Sequence, residues 1–205
     1  LCPKRQTTDP MPPILNAPNP APNPAPNPNP APNPSLCPLE HVCPQVSIIS
    51  VNGIDGYTTY ELSLKLKDHV KDIYSIFGDH EAGEMFIPNA YQENPLGSDF
   101  GGVPAYHLQM NPALAYDSWL TVGITDGNGE GRLSSVGIDF SHWTDQESLV
   151  INNGAIFSLN SSPDHSLLPD GHDYVVAHLT IPNNMHTNAL MNAQGNRKNN
   201  SEPDW

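Results

Sequence analysis

A glycine-rich loop carries side-chain oxygens at alternate positions, on Asp126, Asn128 and Glu130. The first half of an EF-hand calcium loop has the same spacing, which lets alternate oxygens converge on one cation. The match ends at the twelfth position, where Gly137 stands instead of a bidentate glutamate. Asp117 and Asp139 could complete a cage of another kind. We weigh a calcium site here against a plain double turn between strands, and no other cofactor is required.

The segment HEAGE, residues 80–84, begins like a zinc protease motif but has Glu84 where the second histidine must stand. Asp79, Glu81 and Glu84 could imitate the two carboxylates of a glycosidase, but we favour a solvated acidic loop as their explanation. The sequence contains no GxSxG elbow and no P-loop. We therefore predict that the protein is not an enzyme.

Histidines are dispersed along the chain, with His172, His178 and His186 on or near its last strand-like segment. A single histidine on a strand more often packs as a core or surface residue than binds a metal. We expect these histidines to contribute to stability alone.

The three cysteines, Cys2, Cys37 and Cys43, all lie in the first 45 residues. We predict a local disulfide between Cys37 and Cys43, which leaves Cys2 as the candidate for a bond between chains. The alternative is three reduced or randomly oxidised thiols. A CxxC zinc or redox motif is absent from the sequence.

The formal net charge is −14, from 22 acidic and 8 basic residues. Nucleic acids and anionic lipid surfaces both attract basic proteins, so we expect neither as a partner. No run of about 18 apolar residues is present, so we predict no membrane span. The chain opens Leu1-Cys2-Pro3 without a hydrophobic signal region, and we interpret it as a processed or incomplete secreted chain.

Proline divides the chain into two parts. Fifteen of the 23 prolines fall between Pro3 and Pro44, and residues 17–34 are nine X-Pro dipeptides in which X is alanine or asparagine. Proline lacks an N–H and moves the preceding residue out of the helical region, so this segment can form neither helix nor sheet. We predict a Pro-rich arm over 1–45 with a polyproline II rod over 17–34. It is either a disordered spacer or a rod docked on another surface.

The alternating Ala-Pro and Asn-Pro run resembles the glycomodules of extensins, arabinogalactan proteins and algal cell-wall glycoproteins. In those families spaced prolines are hydroxylated and O-glycosylated, although their units are more often Ser-Pro or Thr-Pro. The resemblance implies O-glycosylation, as hydroxyproline, at Pro18, Pro20, Pro22, Pro24, Pro26, Pro28, Pro30, Pro32 and Pro34. Two sequons, at Asn160 and Asn199, predict N-glycosylation in polar, turn-rich stretches. Together these covalent glycans favour a secreted, extracellular location.

Residues 46–205 read as one all-β domain. The segment 57–67 alternates apolar and polar residues with the period of a half-buried strand. Shorter strand-like runs follow the same rule, and Asn-Gly or Asp-Gly turns punctuate them. They are 46–51, 73–77, 119–125, 136–140, 155–159 and 174–181. Seven to ten short strands in one unit are typical of a β-sandwich or jelly roll.

Several phrases of this domain resemble an uncharacterised β-rich repeat in large secreted proteins of algae and other protists. They are DSWLTVGITDG (117–127), LSSVGIDFSHWT (133–144), VINNGAIFSL (150–159), DYVVAHLTIP (173–182) and MNAQGNRKNNSEPDW (191–205). The resemblance covers roughly residues 46–205 and implies location and architecture, with no catalytic motif attached. One copy with a Pro-rich arm is similar to a protomer of an extracellular glycosylated fibril.

Two functions from different classes fit these observations. The first is a structural subunit that assembles with copies of itself, as a homo-oligomer in a helical filament or matrix, through the arm and the β-domain. For true strand addition the better candidate is 44–51, because alternating prolines remove half the donors of 17–34. The second is a secreted lectin-like module on a glycosylated stalk, with aromatic side chains stacked on sugars. The aromatic candidates are Trp119, Trp143, Tyr91 and Tyr106.

Overall fold

Antiparallel strands make up most of the regular structure in the computed structural model, which describes residues 37–159, 173–199 and 201–205. The described residues contain ten strands. They are β1 (Val42–Val51), β2 (Tyr57–Leu66), β3 (Ser75–Gly78), β4 (Met85–Ile87), β5 (Trp119–Leu120), β6 (Leu133–Val136), β7 (Leu149–Ile151), β8 (Gly154–Ser158), β9 (Tyr174–Pro182) and β10 (Asn192–Gln194). The helices among them are short: α1 (Ala105–Met110) and two 3₁₀ turns, Pro112–Tyr116 and Phe140–His142. The prediction of an all-β chain is confirmed.

The strands form three sheets. One has the order β1-β2-β9-β5, the second β10-β3-β8-β6, and the third joins β4 to β7. Every pairing between these strands is antiparallel. The first sheet therefore ends in β1 on one side and in the short β5 on the other.

The hairpin of β1 and β2 follows from the sequence of its turn. Asn52 and Gly56 both have a positive φ, 56° and 81°, which asparagine and glycine tolerate best. The Asn52 N–H donates to the Tyr57 carbonyl at 2.8 Å and closes the turn. The alternating segment of β2 then pairs along its whole length with β1, from Val51 opposite Thr58 to Val42 opposite Leu66.

One hydrophobic cluster draws side chains from all three sheets. Leu64 and Leu179 come from the first sheet, Ile76 and Ile156 from the second, and Met85 from the third. Ile76, Ile156 and Met85 are fully buried. Burial of these aliphatic side chains is the main term that stabilises the domain, at roughly 1.5–3 kcal/mol for each.

Strand β1 begins at Val42, inside the stretch 1–45 that the sequence assigned to the arm. Val42 and Cys43 are both buried, so the sheet starts four residues earlier than the predicted boundary at residue 46. Pro44 lies inside this strand. Its backbone faces the open side of β1, where no N–H is required.

Two predicted strands are shorter or displaced. The run 119–125 is a strand only over Trp119–Leu120, since the Thr121 hydroxyl accepts from the Ile124 N–H at 3.1 Å and folds the chain back. Gly123 in that turn has φ 77°. The predicted strand over 136–140 is not formed. The strand found in this region is β6, which precedes that run and ends at Val136, because the next residue, Gly137, has φ 69°.

Candidate functional site

The predicted calcium loop is held by an ion pair. The Arg132 guanidinium lies 2.9 Å from the Asp126 carboxylate, and the Asn128 N–H donates to the same carboxylate at 3.0 Å. These contacts hold the pKa of Asp126 below its ordinary value, against the opposing effect of burial. A calcium ion would have to displace Arg132. Within the described ranges no three His, Cys, Asp or Glu side chains meet as a metal site requires.

The two acids suggested as completing that cage act elsewhere. Asp139 accepts from the Ser141 N–H at 3.0 Å and caps a 3₁₀ turn. Asp117 is fully buried and occupied by backbone donors. Asp79 likewise accepts from the Glu81 N–H at 2.7 Å in the tight turn between β3 and β4, the arrangement of a solvated acidic loop.

Cys37 and Cys43 are free thiols in the structure, so the predicted disulfide is not formed in it. The Cys37 thiol donates to the Val42 carbonyl at 3.3 Å, and it lies close enough to the Cys43 thiol to influence its pKa. Burial, followed by the neighbouring Cys37, raises the pKa of Cys43. The two thiols are therefore neighbours, and their pairing on oxidation stays a prediction. Cys2 lies outside the described residues.

Of the predicted glycosylation sites, Asn199 is described and Asn160 is not. Asn199 is exposed, and its side-chain N–H donates to Glu202 at 3.0 Å. The nine prolines from Pro18 to Pro34 also lie outside the described residues. The glycosylation sites stay predictions.

Most of the aromatic candidates for sugar stacking are not exposed. Trp143 is buried and its indole N–H donates to the Pro88 carbonyl at 2.9 Å. Trp119 is buried and stacks on the imidazole of His178, with ring centres 5.0 Å apart. Tyr91 is half-buried, and Tyr106 is 60% exposed.

The most strongly perturbed carboxylate, Asp117, organises a loop. Its two oxygens accept from the Glu93 N–H at 2.8 Å and from the Ser98 N–H at 2.6 Å. Its own carbonyl lies 2.8 Å from Nδ1 of His178. Burial raises the pKa of Asp117 to about 6, against the opposing effect of the backbone donors. Since both oxygens are occupied and the side chain has no exposure, this group acts as a structural anchor. This anchoring role was not predictable from the sequence, because the partners of Asp117 lie 19 and 24 residues away.

Strand β1 presents the feature that needs a functional explanation. Four of its aliphatic side chains are 49–61% exposed: Val46, Ile48, Ile49 and Val51. Val46 lies opposite Leu62 and Ile48 opposite Tyr60, and both partners pack against the core. Directly paired residues point to the same face of a sheet, so Val46 and Ile48 project on the core side, where about half of each side chain stays exposed.

The backbone of β1 is also open on its outer side. The Lys67 N–H donates to the His41 carbonyl at 3.0 Å, and antiparallel pairs alternate from that point. The backbone groups of residues 43, 45 and 47 therefore face β2, and those of residues 42, 44, 46 and 48 face outward. No described strand pairs with that outer side.

The outer side is blocked at one end and open at the other. The Val42 carbonyl accepts from the Cys37 thiol, and Pro44 has no N–H to offer. From Val46 to Val51 no strand pairs with the outer side within the part of the chain that the structure describes. Natural proteins protect such edges with charge, proline or bulges, because a bare apolar edge recruits another strand. Strand β1 has Pro44 and a bulge between Ile48 and Ser50, so its regular open part is Val46–Ile48.

Charge is absent from this edge. Val42–Ile54 contains no Asp, Glu, Lys or Arg, in a chain whose net charge is −14. The run QVSIISV was visible in the sequence as a strand able to add to a sheet. That its core side would be left uncovered was not visible, because this depends on where β2 meets the core.

Comparison of the chain with protein-family models, with curated proteins and with solved structures found no match. Among the described residues no helix has the length and apolar character needed to cross a membrane.

Proposed function

We propose that the protein is a secreted structural subunit, in which a β-sandwich domain with a glycosylated polyproline II arm assembles with copies of itself into an extracellular filament or matrix. The observation that carries this proposal is the open edge of β1. An uncharged edge with four half-exposed aliphatic side chains, in an otherwise acidic chain, is the pattern of a surface covered in use.

The position of this edge links it to the Pro-rich arm. Residues 1–36 lead directly into Cys37–His41, which we call the arm root, and the arm root leads into β1. The arm root is anchored on the domain: the Lys67 ammonium donates to the Leu39 carbonyl, and the Lys67 N–H donates to the His41 carbonyl. A pre-extended proline rod loses less entropy on docking than a flexible tail. An arm that starts beside an open edge is thus well placed to bridge neighbouring subunits.

Charge constrains how such subunits pack. From Asp72 to Asp173 the chain has 15 carboxylates and one basic residue, Arg132. Like charges at that density repel each other over about 8 Å at physiological salt. Sugar on the arm and at Asn199, or divalent cations such as calcium, would separate or neutralise the acidic surfaces.

The carbohydrate-binding alternative has less support. A lectin site needs exposed rings, and Trp119 and Trp143, the largest candidates, are buried. Tyr106 alone among the four named aromatics is mostly exposed. We therefore favour the structural role.

Glycopeptide mass spectrometry of the secreted protein tests the glycosylated arm. We expect hydroxyproline bearing pentose or hexose between Pro18 and Pro34. Unmodified proline throughout that segment would contradict the glycosylated arm.

Electron microscopy of the full chain and of a chain lacking residues 1–36 tests the assembly. The truncated chain should keep a folded β-rich domain and form no fibres. Fibres of normal length from the truncated chain would show that the arm is not required for assembly.

A further inference from the structure

The open part of β1 is complementary to itself. Val46 and Ile48 each present one N–H and one C=O outward. In an antiparallel pair centred on Ser47, Val46 of each copy lies opposite Ile48 of the other. Each of these two residue pairs exchanges two backbone hydrogen bonds, which makes four in total. We propose that two copies of this chain join edge to edge through β1, about a two-fold axis at Ser47. This inference rests on the proposed function and names the β-domain contact within it.

The side chains fit the same register. Directly opposite residues point to one face, so Val46 and Ile48 of both copies form a cluster of four aliphatic side chains on the core side of the joined sheet. These residues are 54% and 49% exposed in the single chain. Pairing removes apolar surface from water at roughly 25 cal/mol for each Å².

Electrostatics favours this contact over other surfaces of the chain. The segment Val42–Ile54 carries no charge, so the two β1 strands do not bring like charges together. The nearest repeated charge is Glu61, which lies on β2 opposite Ser47. With strands about 4.8 Å apart, the two Glu61 positions are separated by three spacings, roughly 14 Å, which exceeds the Debye length of about 8 Å.

No other described edge offers a comparable partner. The remaining edges of the two four-stranded sheets are β5, β6 and β10, with two, four and three residues. Strand β1 has ten. The proline-alternating segment 17–34 lacks half its donors and cannot form a continuous ladder. A second β1 therefore matches the edge better than the other four-stranded-sheet edges that the structure describes and better than the segment 17–34.

The contact is small compared with a standard interface, which covers about 800 Å² on each partner. We therefore expect a concentration-dependent dimer that is reinforced when the arm holds copies together. This is suited to a subunit that must assemble only where it accumulates.

Cysteine cross-linking of the full chain tests the axis directly. Residues opposite each other at a non-hydrogen-bonded antiparallel pair lie about 4.5 Å apart at Cα, within the range that a disulfide spans. The variant Ser47→Cys should therefore link to itself under mild oxidation, with the bond at position 47 of both copies found by peptide mass spectrometry. Asn184→Cys, at an exposed site outside β1, is the control and should not link to itself.

Two outcomes would overturn the proposal. If position 47 links no faster than position 184, the β1 edges do not meet. If position 47 links mainly to Cys2, the arm of a neighbouring copy occupies the edge instead.

Sedimentation of two charge variants gives an independent test. Ile48→Lys should raise the dissociation constant of the dimer roughly tenfold or more, because it places a buried ammonium opposite Val46 of the second copy. Val150→Lys is the matched control, since Val150 on β7 has the same 49% exposure. Equal weakening by both variants would contradict the proposal.

The two proposals can fail separately. A link at position 47 without fibres or hydroxyproline would support the β1 pair and contradict the filament. Fibres of the full chain without any link at position 47 would support the filament and assign its contacts to the arm.

Discussion

The Nδ1 atom of His41 lies 3.0 Å from the Nε2 atom of His69, so that one imidazole donates a hydrogen bond to the other. The His41 ring also lies against Trp205, with ring centres 5.1 Å apart. This contact ties the arm root to the loop after β2 and to the last residue of the chain. Only one shared proton can satisfy the pair, because two protonated rings would repel each other at this distance.

We expect the arm root to loosen in mild acid. The pKa of His41 is lowered, first by burial and then by the nearby Arg197, His69 and Lys67, while Glu40 acts in the opposite direction. A lowered folded-state pKa means that the unfolded state binds the proton first, so stability is lost as the pH falls below about 6.5. The protection factor of the Lys67 amide, which donates to His41, should fall between pH 7 and 5. The Tyr91 amide, which donates to the Thr180 carbonyl, is the control, and an equal fall there would contradict a local effect.

Asp117 should make the domain more stable in acid than at neutral pH. Its pKa is raised to about 6 by burial, so the folded state holds the proton that the unfolded state releases near pH 4. The contribution of this group to the free energy of unfolding should therefore fall by about 2 kcal/mol as the pH rises from 4 to 7. Urea unfolding measures the free energy of unfolding of the parent chain and of Asp117→Asn. As the pH is lowered from 7 to 4, the value of the parent should rise relative to that of the variant by about this amount.

The control for that experiment is Asp55→Asn, which removes one negative charge from an exposed turn. If the difference between the parent and Asp117→Asn does not change with pH, the carboxyl group titrates in the folded state as it does in the unfolded one.

Two glycine substitutions should distinguish the effect of a steric clash on the free energy of unfolding from the effect of an unfavourable backbone conformation. A Cβ on Gly78 would lie 2.1 Å from the Ile151 carbonyl oxygen and 2.4 Å from the Met85 nitrogen, and neither backbone atom can move away. We expect Gly78→Ala to cost about 3 kcal/mol or more. Gly131 has open space but φ 70°, so Gly131→Ala should cost only about 1–2 kcal/mol. Chemical denaturation measures both, and equal costs would show that the approach of β3 to β4 and β7 is not tight.

Cysteine reactivity should follow burial. Cys43 is buried and its pKa is raised, so in the reduced protein we expect iodoacetamide to modify it at least about tenfold more slowly than Cys37. Oxidation should then join Cys37 to Cys43 and stabilise the domain by roughly 2–3 kcal/mol. Non-reducing peptide maps read the connectivity. A bond from Cys2 to either residue within one chain would contradict the assignment.

Strands with several periods of alternation or a long apolar run were predictable from the sequence, and the strands of three residues were not. The alternation of 57–66 and the apolar run of 174–182 extend over several periods, so β2 and β9 lie within one residue of their predicted bounds. Strands β4, β7 and β10 have three residues each and were missed. Three residues contain too little alternation to be distinguished from a loop.

Sites that depend on distant contacts were the hardest to predict. Asp126 was correctly predicted to lie in a loop. Its carboxylate forms an ion pair with the guanidinium of Arg132, a residue that the calcium hypothesis did not consider. Asp117 was considered only as a calcium ligand, because the loop it anchors begins 24 residues earlier. The edge strand was predictable as a strand, and its uncovered face was not.

Pro44 limits the ways in which two strands can align. Moving the axis from Ser47 to Val46 would set Pro44, which has no N–H, opposite Ile48. Moving it to Ile48 would set Val46 opposite Ser50, whose backbone groups face β2 beyond the bulge at Ile49. Of these three alignments, only the one centred on Ser47 allows the outward N–H and C=O groups of both Val46 and Ile48 to form hydrogen bonds. Two copies that meet in another alignment should therefore dissociate quickly. The same proline should slow disordered aggregation, so a Pro44→Val chain would precipitate sooner than the parent at equal concentration.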